Sequence, residues 1–118
     1  MVRNKTDIIE WWARYNLRAL NRLHLIDHHS RDNTGEILRC LQREGLPIIL
    51  HQFEDVRHLQ SEAMHQVALP LAVSGDVDFL VPLDADELIS VDRANLYEAL
   101  KKVPDGYAGA MPWRTYLP

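Results

Sequence analysis

Gly75 to Ser90 reads GDVDFLVPLDADELIS, and the reading of this stretch decides the fold. The apolar run Phe79, Leu80, Val81 and Leu83 predicts a buried strand that empties into Asp84, Ala85, Asp86 and Glu87. Three carboxylates at one strand end repel one another at neutral pH unless a positive charge sits among them. A hard divalent cation with oxygen ligands supplies that charge. In an open α/β sheet the carboxyl ends of the strands are also where ligands bind. Pro82 cannot donate to a ladder, so pairing is expected to stop just before the acidic residues.

Upstream, Ile8, Ile9, Trp12, Tyr15, Ala19 and Leu20 recur at helical spacing and predict a first helix from Thr6 or Asp7 to Leu20. Leu23, Leu25 and Ile26 form a short strand ending at Asp27, followed by a polar loop from His28 to Thr34. Asn33 with Glu36 three residues on has the form of a capping box. Ile37, Leu38 and Leu41 supply the core face of a second helix, and Gly45 and Pro47 stop it. Pro47 to Leu50 predicts another buried strand, ending at His51 and Gln52. A loop through Asp55 and Arg57 then leads to a third helix, Leu59 to Ser74, with Met64, Val67, Ala68, Leu71 and Ala72 inward and a kink or break at Pro70.

After the opening stretch, Asp92 is the expected N-cap of a fourth helix carrying Leu96, Tyr97 and Leu100. Pro104 to Gly106 form a turn, and Tyr107 to Met111 a last strand. Strands alternating with helices imply a doubly wound, mainly parallel α/β sheet, in one domain over residues 1–118. A sheet of this kind is expected to open on a strand, yet only Met1, Val2 and Arg3 precede the first helix. The chain therefore reads as an incomplete domain.

The 118 residues are 47% hydrophobic and 25% charged, the balance of a globular protein rather than a disordered or coiled-coil one. A net charge of −4 provides no basic field for nucleic acid or anionic lipid. The single cysteine, Cys40, cannot form an internal disulfide, which fits a reducing compartment such as the cytoplasm. No apolar run has the length of a membrane span.

Asp84 and Asp86, two positions apart, can reach one cation together. Mg²⁺ or Mn²⁺ held by such a pair plus phosphate oxygens is the corresponding geometry. In the competing reading, Asp86 or Glu87 caps the next turn and the other carboxylates are solvated. Asp27, at a strand end on the same predicted edge, can accept hydrogen bonds from a base or a ribose, or can cap its own turn with Ser30 or Asp32. Of the six histidines, His28 and His29 are sequence neighbours and His58 and His65 are seven apart, and they read as solvated or capping. Cys40 reads as a structural thiol, and Trp11 and Trp12 as core and flank of the first helix. Gly35 and Gly45 are isolated, so no phosphate-binding glycine loop is present.

Three blocks in order carry a resemblance: Val2 to Glu10 (VRNKTDIIE), Asp27 to Thr34 (DHHSRDNT) and Leu83 to Glu87 (LDADE). Together they resemble family-2-type glycosyltransferases of the GT-A fold, over nearly the whole chain. The resemblance implies transfer of a sugar from a nucleotide diphosphate donor to an acceptor hydroxyl, with Mg²⁺ or Mn²⁺ on the diphosphate. It implies that Asp86 is the main metal ligand, that Asp84 contacts the metal or the donor's ribose, that Asp27 recognises base or ribose, and that Arg3 and Asn4 line the base pocket. Lys5 departs from the family's acidic residue, His28 from its Asn and Asn33 from its Gly. The acceptor-activating carboxylate of inverting members has no counterpart before Pro118.

Two other functions stay open from the residues alone. A Mg²⁺-dependent phosphohydrolase or phosphotransferase also uses strand-end aspartates, but needs an aspartyl nucleophile with Lys and Thr or Ser on neighbouring strand ends. A non-catalytic α/β binding module is compatible with the chain's size. A sheet edge left exposed at the N-terminus predicts self-association.

Overall fold

The structure is a computed structural model that describes residues 1–52, 60–112 and 114. It is an α/β arrangement of helix α1 (Ile9–Asn16), strand β1 (Leu23–Asp27), helix α2 (Thr34–Arg43), strand β2 (Ile48–Gln52), helix α3 (Gln60–Ser74) and helix α4 (Arg93–Leu100). β1 and β2 pair in parallel, from Leu23 opposite Ile48 to Asp27 opposite Gln52. α2 is the crossover that parallel pairing requires. Val2 adds a one-residue parallel bridge beside Asp27: its N–H donates to Ile26 and its carbonyl accepts from His28, at 2.8 and 2.9 Å. The residues ahead of the first helix thus lie alongside β1.

Period-2 alternation divides the sheet. Leu23, Leu25 and Ile48 face Ile9, Trp12 and Ala13 of α1 and Leu38 and Leu41 of α2, and Val2 and Ala85 close the same cluster. Of the tryptophan pair, Trp12, at 3% exposed, is the core residue, and Trp11, at 57%, is the flank. His24, Ile26, Ile49 and His51 occupy the alternate positions of the two strands. α3 packs against β1. A smaller cluster of Ala19, Ile89 and Leu96 joins the end of α1 to α4.

Several expectations are corrected. The strand over Phe79–Leu83 does not form: the segment is extended but unpaired, with Phe79 37% and Leu80 40% exposed. Its alternation survives, because Val81 and Leu83 turn inward onto the clusters while Pro82, with no N–H to give a ladder, faces out. Tyr107–Met111 is likewise unpaired and exposed. Among the described residues the sheet has two strands, paired in parallel.

α1 is shorter than predicted, since residues 6–8 and 17–19 are turns at its ends. The capping box is absent: Asn33 makes no side-chain cap bond, and Glu36 instead pairs with Arg39 and Arg43 along α2. α3 runs through Pro70 as one helix, and its buried residue is Ala63, while Ala72 is exposed. Asp92 caps α4 as expected, accepting from the Asn95 N–H at 2.9 Å. Gly45, at φ +90°, ends α2 in the left-handed conformation that glycine tolerates. The loop expected through Asp55 and Arg57, the start of the third helix at Leu59, and Trp113 and Tyr116 lie outside the described residues. No helix among the described residues is long and apolar enough to cross a membrane.

Candidate functional site

The three sequence blocks meet at the carboxyl end of β1. Val2 brings the first block there, and Asn4 turns the chain with φ +50°, a left-handed conformation that Asn adopts more readily than most residues. The two segments 4–6 and 30–34 are then clasped by four hydrogen bonds. The Asn4 N–H donates to Ser30 Oγ at 3.0 Å and the Arg31 N–H to Asn4 Oδ1 at 2.9 Å. The N–H groups of Lys5 and Thr6 donate to Thr34 Oγ1 at 2.8 Å and Asp32 Oδ2 at 3.2 Å. Hydrogen bonds from Thr34 and Thr6 hold the Asp32 carboxyl far below its ordinary value, so the clasp carries a permanent negative charge.

Asp27 leaves β1 into this clasp. Its Oδ1 accepts from the Ser30 N–H at 3.1 Å and from Ser30 Oγ at 2.6 Å, which is the turn-capping role. The other oxygen, Oδ2, lies 3.2 Å from where a side chain on Gly35 would begin, so a residue without Cβ lets this carboxylate approach the start of α2. Ser30 connects Asp27 to Asn4. Arg3 is exposed beside them.

The acidic residues stand on a turn rather than at a strand end. Glu87 N–H donates to the Asp84 carbonyl at 3.1 Å, and the Glu87 carboxylate accepts from the Asp84 N–H at 2.9 Å. Glu87 is thus a capping residue of its own turn. The turn is anchored from α1: Trp12 Nε1 donates to the Asp84 carbonyl at 3.1 Å. Asn16 Nδ2 donates to the Glu87 carbonyl at 3.0 Å, and Asn16 Oδ1 accepts from the Ile89 N–H at 2.9 Å. Ala85 is buried between the two aspartates, which are exposed. The side chain of Asp86 reaches Lys5, with 3.7 Å between Oδ2 and Nζ. That contact joins the acidic turn to the clasp.

Asp84 and Asp86 do not make an all-protein cation cage, since no group of three or more His, Cys, Asp or Glu side chains able to hold a cation occurs among the described residues. Mg²⁺ in particular is commonly bound by one or two carboxylates plus substrate phosphates.

Lys5 as the partner of Asp86 and Trp12 as the anchor of the acidic turn carried no sequence signal, whereas Ser30 is one of the capping partners that the sequence offers Asp27. A run of single residues with ordinary spacing gives no hint that they will meet. The histidines also differ from expectation. His24 and His51 bring Nδ1 and Nε2 to 3.0 Å across the two strands, with ring centroids 5.2 Å apart. His24 Nε2 and His28 Nε2 are enclosed without partners among the described residues. Cys40 is half-buried on α2 beside Glu36 and Arg43.

A cleft of about 390 Å³ opens between β1, α3, residues 76–83 and α4, with Met64, Val67, Leu71 and Leu96 among its walls together with Val2, Trp12 and Ala85. Neither Asp27, Asp84 nor Asp86 lines it. Compared with known proteins, the chain matches no protein-family model, no curated protein and no solved structure.

Proposed function

We propose that the chain binds the donor of a metal-dependent glycosyltransferase, with a GT-A-like, doubly wound architecture that holds a nucleoside diphosphate sugar for transfer to an acceptor hydroxyl. The observation that carries this reading is the meeting of three distant segments at one edge: Asn4 and Asp27 linked through Ser30, and Asp86 linked to them through Lys5. The short blocks that resemble the family are the same segments that these hydrogen bonds and the Lys5–Asp86 ion pair join.

In this reading Asp27 and Asn4 receive the nucleoside. A carboxylate and a carboxamide on a fixed loop offer acceptors and donors to a base edge and a ribose. Arg3 flanks the base. Asp84 and Asp86 face the diphosphate, where two exposed carboxylates would share a cation with phosphate oxygens. When bound, Mg²⁺ or Mn²⁺ supplies Lewis acidity to the departing diphosphate and orients it. The protein's own contribution is rigid positioning: Trp12 and Asn16 hold the acidic turn by its backbone, leaving both aspartate side chains on the surface.

Amide chemical-shift mapping tests the placement. Addition of UDP or GDP with Mg²⁺ is expected to shift the amides of Asn4, Ser30, Arg31 and Ala85 and to leave those of α4 unmoved. Shifts confined to the cleft between α3 and α4 would contradict this site.

A further inference from the structure

Lys5 occupies a position set by backbone on both sides of its side chain. Its N–H is held by Thr34 Oγ1, and Thr34 is fully buried. The Lys5 carbonyl accepts from the N–H groups of Ile8 and Ile9 at 3.1 and 2.9 Å. Opposite, Asp86 stands on the turn fixed by Trp12, Asn16 and the buried Ala85. Two anchored backbones therefore set an ammonium against a carboxylate, 3.7 Å apart. The side chains are 34% and 68% exposed, and pairs of that kind contribute little to stability and exchange partners easily. An anion arriving at the turn meets this ammonium at once.

The electrostatics give the contact its meaning. Asp84, Asp86 and Glu87 share one turn, and a diphosphate would be repelled there without a cation. Lys5 offsets part of that negative charge before any metal is present, and its ammonium offers three donors to phosphate oxygens. Resting on the donor-site reading above, we propose that Lys5 is a phosphate-contacting residue whose fixed positive charge lets the nucleoside diphosphate bind without a divalent cation. The metal then adds to an affinity that Lys5 has already established.

Calorimetric titration with UDP and GDP, in EDTA and in Mn²⁺, separates this from a site that depends wholly on metal. The wild-type protein is expected to bind at least one nucleotide in EDTA. Lys5→Met should weaken that binding by roughly 10-fold or more, the scale of a lost hydrogen bond to a charged group. Lys5→Arg, which keeps the charge, should stay close to wild type, and the Lys5→Met deficit should shrink in Mn²⁺. Wild-type binding that requires Mn²⁺, or Lys5→Met binding as tightly as wild type in EDTA, overturns the role of Lys5 while leaving the donor site intact. If neither nucleotide binds the wild type in either buffer, the donor-site reading fails and the proposal falls with it.

Discussion

The indole Nε1 of Trp12 donates to the main-chain oxygen of Asp84 at 3.1 Å, so a core residue of α1 fixes the acidic turn from 72 positions away. The same ring fills the core beside Ile9 and Leu38. Trp12→Phe keeps most of the apolar contact and removes the donor. It is expected to destabilise the protein by about 1–3 kcal/mol in urea unfolding, from a lost hydrogen bond and a partial cavity. Amide exchange at 84–87 should accelerate more than at α2. Uniform acceleration would mean that the indole is packing only.

Asn16 is the second anchor, fully buried, with its carboxamide donating to the carbonyls of Trp12 and Glu87 and accepting from the Ile89 N–H. Asn16→Ala leaves those backbone groups without their partner. The expected loss is about 2–4 kcal/mol, since buried groups deprived of hydrogen bonds cost more than the bonds themselves contribute. Asn16→Leu should not recover it, because added apolar volume restores none of the bonds. A Leu variant as stable as wild type would show that the polar network is dispensable.

Asp92→Ala removes the N-cap of α4, where the carboxylate accepts from the Asn95 N–H and from Asn95 Nδ2 at 3.0 Å. Loss of about 0.5–2 kcal/mol is expected, and Asp92→Ser should return most of it. Chemical denaturation of the three proteins checks the order.

Alternation in Leu23–Asp27 and the spacing of Ile37, Leu38 and Leu41 placed β1 and α2, because each pattern is set by one face meeting one core. The segment Phe79–Leu83 has the same alternation, yet remains unpaired. A two-residue period reports burial on one side of an extended chain, whereas pairing needs a neighbouring edge, and Pro82 withdraws a donor. The acidic residues were therefore identified as a cluster but assigned to a strand end, when a turn holds them. The capping box of Asn33 and Glu36 failed because Glu36 has two arginines within reach on its own helix. Lys5 meeting Asp86 and His24 meeting His51 are tertiary coincidences, which local spacing does not encode.

The His24–His51 contact predicts a pH response. Its 3.0 Å separation has room for one proton between the two nitrogens. Burial lowers both imidazoles below the ordinary 6.5, and for His24 the charges of His51 and Arg22 add to it. The unfolded chain therefore binds more protons, and stability should be complete above pH 6.5 and decline as pH falls through it. Urea midpoints between pH 7.5 and 5.5 should show this decline, and His51→Gln should flatten it. An unchanged slope in the variant would assign the response to other groups.

The central claim is that Asp84 and Asp86 hold the diphosphate of a nucleotide beside Asp27 and Asn4. Its most direct test is the Mn²⁺-dependent increase in affinity for UDP or GDP, measured by calorimetry on wild type and Asp86→Ala. The account predicts that Mn²⁺ tightens binding to the wild type and that Asp86→Ala abolishes this increment while staying folded. An increment of the same size in Asp86→Ala, or the absence of nucleotide binding to the wild type, would contradict it.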